Sequence, residues 1–333
     1  MFGDRAGWRV PGQTVNWSRI ASPESWKGLA LETVWRVAPG RSNANLQPTW
    51  PLDHSELERV QVMWPSKYEW SPSAKWVDPL LHGFSKYVKI RRSDVPQPFK
   101  GIVAIQITIG SIAHNIAIDY SDLPHINRTC AESFPLYFKM QFAREGYPYA
   151  HILPGGFVPN SEEIYLYLPH VRAVADRKSR DYDVYGRFGL EFAGDVRRKA
   201  CSILAKQSDF RWEGGLQIKR YSLALLEVAR SKICIDLPGN GDFCFRLIDY
   251  FAVGACVIAP KHHTVLHVPL EEGKNIVYVK PDLSNLVELC RFYLENDTAR
   301  EELARNSRSY FDKYLHRDQL AAYYLRCCLD KLS

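Results

Sequence analysis

Residues 231–260 read SKICIDLPGNGDFCFRLIDYFAVGACVIAP, and this stretch decides the fold. KICIDL is a short apolar run rich in isoleucine, the mark of a buried strand. It breaks at Pro238, Gly239, Asn240 and Gly241, which make a loop. CFRLIDYFAV follows with helical periodicity, and Gly254 stands where a helix C-terminal cap belongs. CVIAP then reads as a second buried strand. Strand, glycine-rich loop, helix, strand implies a parallel sheet with helices on its faces.

Such sheets bind ligands at the carboxyl ends of their strands. Gly239, Asn240 and Gly241 lie at such an end. Glycines let backbone N–H groups approach a phosphate, and the helix start adds partial positive charge. Arg246, one turn into the helix, carries a planar fork suited to phosphate oxygens. Asp249, three residues on, shares that helix face and can accept from two ribose hydroxyls. The same spacing also suits a surface ion pair after an ordinary turn, and spacing alone does not choose.

Outward from this core the C-terminal half alternates strands and helices. DYDVYGRFG, residues 181–189, reads as a strand entering a loop. Arg187 there is either a second phosphate cation or a surface arginine in a turn. Helices are expected over 192–206, 220–231, 283–296, 297–312 and 316–331, with a strand at NIVYV. This defines a domain over 176–320, with a last helix, 316–333, crossing back onto the first. Residues 1–175 form the other domain. RVQVMW, KYVKI, GIVAIQITIG and HNIAIDYSD read as its strands, and YPYAHILPGGF as strand then loop. The first 58 or so residues are rich in Trp, Pro, Ser and Gly and read as irregular. Asp119 and Asp122 follow a buried strand, where a carboxylate facing the other domain is a candidate general base. Capping the strand end or starting a turn is the plainer role.

Composition narrows the classes. The chain is 46% hydrophobic and 24% charged, which is globular. Its net charge of +6 comes without a run of five basic residues, which argues against a polybasic nucleic-acid tract. The eight cysteines form no CxxC pair, so no zinc site is expected. There is no HExxH, and Asp181-Tyr182-Asp183 begins its strand instead of ending it. No metal is therefore expected. The first residues lack the apolar core of a signal peptide, and the longest apolar run, near 102–113, is too short to span a bilayer. That points to the cytoplasm, with peripheral membrane contact left open. The sequons at Asn16, Asn127 and Asn296 then read as chance matches. No GxGxxG follows an early strand, which counts against a nicotinamide enzyme.

Residues 180–330 resemble the donor-binding core of GT-B type glycosyltransferases. The likeness is strongest to the exostosin-like and protein O-glucosyltransferase-like families and extends to the group 1 glycosyl transferases. ARSKICIDLPGNGDFCFRLIDYFAVGACVIAP carries it, with YVKPDLSNLVELCRFYLENDTAREELARNSRSYF downstream. The resemblance implies an α/β fold of two Rossmann-like domains facing each other across a cleft. It implies a hexosyltransferase that moves a sugar from a nucleotide-sugar, a UDP-sugar favoured, to a hydroxyl acceptor. The acceptor would be a glycan, lipid, protein or modified nucleobase, with DNA the less favoured. The reaction would be metal-independent and inverting, with the nucleotide-sugar as co-substrate and no other cofactor. Arg246 would meet the donor diphosphate and Asp249 the ribose, where the wider class has a glutamate. The competing readings are a nucleotide-dependent oxidoreductase and a non-catalytic glycan- or nucleic-acid-binding relative.

Overall fold

The computed structural model describes residues 23–38, 46–177 and 179–333. In the N-terminal half the strands are β1 (Val60–Pro65), β2 (Lys89–Ser93), β3 (Ile102–Ile109), β4 (Ile112–Asp119), β5 (Leu136–Lys139), β6 (Phe142–Ala143) and β7 (Ile152–Pro154). All but β6 form one sheet, in the order β2-β1-β3-β4-β5-β7. The C-terminal half adds β8 (Tyr182–Arg187), β9 (Trp212–Gly215), β10 (Ser231–Ile235), β11 (Cys256–Pro260), β12 (Thr264–Val265) and β13 (Val277–Val279). All but β12 form a second sheet, β13-β11-β10-β8-β9, with every pair parallel. β6 and β12 pair antiparallel and tie the halves together.

The central strands β10 and β11 are buried on both faces, which is why they read as continuous apolar runs. Along β11, Val257 and Ala259 face one apolar cluster while Cys256 and Ile258 face another. The first of these clusters is shared between the halves. It joins Val62, Ile105 and Phe138 to Leu247, Phe251 and Leu325.

The N-terminal sheet departs from a purely parallel plan. β3 and β4 form an antiparallel hairpin, closed by Gly110 and Ser111. A two-residue connection cannot carry a parallel crossover, and Gly110 supplies the positive φ, 63°, of the turn. β1 pairs parallel with β2, and β4, β5 and β7 pair parallel in turn, so β3 is the one strand of this sheet that runs against the others.

The expectation of irregular structure through residue 58 is corrected by a helix over Pro23–Val37. Pro23 and Glu24 suit its first turn. Its buried positions are Gly28, Glu32 and Trp35, so the inward stripe is mostly not apolar and periodicity does not reveal it. Residues 1–22 and 39–45, with the Asn16 sequon, lie outside the described residues. Two further helices, Ala74–Phe84 and Ile164–Ala175, were hidden by internal Pro79 and Pro169. Among the described residues no helix is long and apolar enough to cross a membrane.

The final helix, Arg317–Leu332, packs against Ala74–Phe84 in the N-terminal half. Tyr324 stacks on Phe138 with ring centres 3.8 Å apart and donates to the Gly155 carbonyl at 2.9 Å. Gly83 permits this contact, because a Cβ there would lie 2.3 Å from the Arg317 carbonyl oxygen and 2.9 Å from the Ala321 Cβ. Gly83→Ala should therefore cost about 1–3 kcal/mol through overpacking. Equilibrium urea unfolding measures this, and an unchanged midpoint would show that the helix can shift freely.

Candidate functional site

The carboxyl end of the parallel sheet meets the N-terminal half around a cavity of about 470 Å³. Five cationic side chains line it, Lys75, Arg187, Arg197, Lys219 and Arg246, against two carboxylates, Asp122 and Asp249. Most of the remaining wall is aromatic and aliphatic.

Arg246 enters this cavity from the first turn of helix Phe245–Val253. Its Nε donates to Asp236 Oδ1 at 3.0 Å, and Nη2 donates to the Leu237 carbonyl at 2.5 Å. The guanidinium lies over the Phe188 ring at 4.8 Å. Asp236, one residue past β10, is 1% exposed. Burial pushes its carboxyl up, while Arg246 and Arg197 work against that rise. For Arg246 burial opposes the charge most strongly, but Asp236, Cys244 and Tyr250 together hold the pKa above the ordinary arginine value.

Arg197 completes the floor. It projects from the first turns of helix Gly194–Lys206 and donates to the Pro238 carbonyl through Nε and Nη2, at 3.0 and 2.7 Å. Nη1 donates to Gly189 O at 2.7 Å. Burial and then Arg246 lower its pKa, so two cations are held near one buried carboxylate. Both helices begin without a side-chain cap, one after Cys244 and the other after Ala193. Uncapped N–H groups leave partial positive charge at both helix starts.

The loop residues Gly239, Asn240 and Gly241 line the cavity as well. Gly241 is required by the opposite half, since a Cβ there would fall 2.5 Å from the Asp122 carbonyl oxygen and from Gln141 Nε2. Asn240 Nδ2 donates to Asp122 Oδ2 at 3.2 Å. Arg187 also borders the cavity, held by Glu227 and Glu213 at 2.6 Å each. Asp249 is buried, and its Oδ1 accepts from Tyr221 Oη at 2.8 Å and from the Asn160 backbone N–H at 3.0 Å. Burial raises its pKa to about 7, against the lowering effect of those two bonds.

The two candidate bases separate. Asp122 lines the cavity, and burial pushes its carboxyl up while Asn240 holds it down. Asp119 does not line it. Its carboxylate accepts from Ser121 N and Oγ, Tyr137 Oη and Lys139 Nζ, all within 2.9 Å, and it is 2% exposed. Asp183 pairs with Lys232 at the start of β8, the end of the sheet away from the cavity. His262 is packed on Phe243 and held near pKa 4 by burial.

Several site residues carried no readable signal in sequence. Asp236 closes an apolar strand, Arg197 sits within an Arg-Arg-Lys run, and Lys75 and Asn160 come from distant segments. Lys75 Nζ donates to Asn160 Oδ1 at 2.8 Å and lies 4.0 Å from the centre of the Phe245 ring.

Residues 171–326 match the family model described as Glycosyl transferase-like. No curated protein matches the chain. Among solved structures, a glycosyltransferase from Rickettsia africae is similar at 16% identity and TM-score 0.31, over 53% of this chain and 47% of that one. A protein described as a UDP-N-acetylglucosamine 2-epimerase from Listeria monocytogenes is similar at 12% identity and TM-score 0.32, over 61% of each chain. This chain thus spans about half the length of the first and three fifths of the second. Likenesses this loose carry no weight for the reaction.

Asp249 yields a pH test. Its folded pKa near 7 lies above the ordinary 3.8, so the native state binds a proton that the unfolded state has lost between those values. Its contribution is greatest below pH 3.8 and is lost as pH rises through 7. Asp249→Asn keeps an acceptor for Tyr221 and Asn160 and removes the titration. The variant should gain stability over the wild type as pH rises from 4 to 8, by up to about 4 kcal/mol. Parallel stability profiles across that range would contradict the assignment.

Proposed function

We propose, on the premise that residues 171–326 are glycosyl transferase-like, that this chain moves a sugar from a nucleoside diphosphate sugar to a hydroxyl acceptor. A UDP-sugar is the favoured donor. The observation that carries this reading is the pair Arg246 and Arg197 beside the buried carboxylate Asp236, in a cavity onto which the uncapped start of helix Phe245–Val253 opens. That surplus of positive charge suits a diphosphate. In this reading Asp249, which lines the same cavity, takes the ribose hydroxyls, and the aromatic wall offers faces for a base or a sugar ring.

Asp122 reaches the same cavity from the N-terminal half and serves as the general base. It takes the proton of the acceptor hydroxyl. The acceptor oxygen bonds to the anomeric carbon while the bond from that carbon to the diphosphate breaks. The bonding pair leaves with the diphosphate, where Arg246, Arg197 and the helix dipoles stabilise it. Attack opposite the leaving group inverts the anomeric centre, and no metal is needed to balance the charge.

Arg246→Ala should weaken UDP-sugar binding by about 2–4 kcal/mol in calorimetry. Arg246→Lys keeps a charge beside Asp236 and separates lost binding from lost folding. Asp122→Asn should lower turnover by about 10²–10⁴-fold with donor affinity retained. Wild-type turnover in Asp122→Asn would remove it as the base, and wild-type binding in both Arg246 variants would remove the diphosphate site.

A further inference from the structure

The N-terminal sheet ends in a buried charge pair that the proposed transfer step leaves unused. β4 and β5 lie side by side with Asp119 opposite Lys139, each the last residue of its strand. Lys139 is fully buried and Asp119 is 2% exposed. Replacing such a pair by apolar residues of the same volume is often neutral or even stabilising. Packing alone therefore does not account for it.

Its hydrogen bonds do. Lys139 Nζ donates to Asp119 Oδ1 at 2.9 Å, to Ser121 Oγ at 2.6 Å and to the Ser121 carbonyl at 3.1 Å. Those are all the donors an ammonium has. Asp119 Oδ1 accepts from Ser121 N at 2.9 Å and from Ser121 Oγ at 2.6 Å, while Oδ2 accepts from Tyr137 Oη at 2.5 Å. The pair thus grips the amide, the carbonyl and the hydroxyl of one residue, Ser121. The next residue is Asp122, which lines the cavity. From the other half, Gly241 closes on the Asp122 backbone and Asn240 bonds its carboxylate. Burial raises the Asp122 pKa, and Asn240, Lys139 and Lys75 lower it. Cys244, its thiol pushed up to about 11 by burial, faces the same carboxylate.

We propose that Lys139, acting through Asp119 and Ser121, is the positioning residue that aims the Asp122 carboxylate at the acceptor hydroxyl. This rests on Asp122 as the base proposed above.

Lys139→Met alone would strand Asp119, so the test variant joins it to Asp119→Asn, which keeps an acceptor for Tyr137 and Ser121. The pair change is made in the wild type and in Asp122→Asn. Turnover is read as UDP released from UDP-glucose, UDP-galactose and UDP-N-acetylglucosamine with water as acceptor, and UDP affinity by calorimetry. In the wild-type background kcat should fall about 10–100-fold with UDP affinity unchanged. The acid limb of the kcat profile should move to higher pH, since Asp122 loses a nearby cation. In Asp122→Asn the pair change should lower kcat by less than about 2-fold, because no base is left to aim. Ser121→Ala keeps the ion pair and should lower kcat by at least about 3-fold with UDP affinity unchanged. Should the pair variant not fold, Ser121→Ala decides alone, and an unchanged kcat there overturns the inference. Equal losses in both backgrounds, or an acid limb that stays in place, make the pair merely structural and overturn it as well. Wild-type turnover in Asp122→Asn alone, or no UDP released by the wild type, removes the base and this inference with it.

Discussion

The arrangement depends on Asp236, a carboxylate 1% exposed at the end of a central parallel strand. A charge so placed must have a partner, and removing one member of a buried pair costs about 3–5 kcal/mol. Arg246 is that partner, at 2.9 Å. The pair fixes where helix Phe245–Val253 begins relative to β10 and holds the guanidinium over Phe188. A buried ion pair is a weak stabiliser beside apolar residues of the same volume. What it secures here is position: a cation anchored from behind, at a helix start, with its face toward a cavity.

The second constraint is the seam between the halves. Gln141 is fully buried and bonds both to and from the Phe243 backbone, at 2.9 and 3.1 Å. Arg172 crosses to the Ala252 carbonyl at 2.8 Å and to Asp312 at 2.7 Å. Gly241 lets the donor-side loop touch the Asp122 backbone. The last helix, carrying Tyr323 and Tyr324, closes onto the Pro154 and Gly155 carbonyls. These contacts hold Asp122 and Lys75 over the same space that Arg246 and Arg197 enter, so the site is shared between halves.

Much of the C-terminal half was legible, because a strand buried on both faces advertises itself as an unbroken apolar run. CVIAP matches β11 residue for residue, and the Gly254 cap ends its helix with φ 91°. Arg246 was legible for the same reason, standing one turn past a glycine-rich break. Asp236 was not, since one acid after an apolar strand looks like an ordinary loop start. Asp119 and Asp122 look alike in sequence. Only the pairing of β4 with β5 distinguishes them, by bringing Lys139 and Tyr137 onto Asp119 and leaving Asp122 at the cavity. The helix at Pro23–Val37 hid behind a buried face of Gly28 and Glu32, the glutamate being satisfied by Arg220 and Ser222 from the other half. The β3–β4 hairpin was written in Gly110-Ser111, which no count of separate strands brings out.

The most direct measurement is a crystal structure of the protein with UDP bound. The expected result is a diphosphate within hydrogen-bond distance of the Arg246 guanidinium and of the backbone N–H groups that open helix Phe245–Val253. A nucleotide seated elsewhere, with Arg246 turned away from it, would contradict the account.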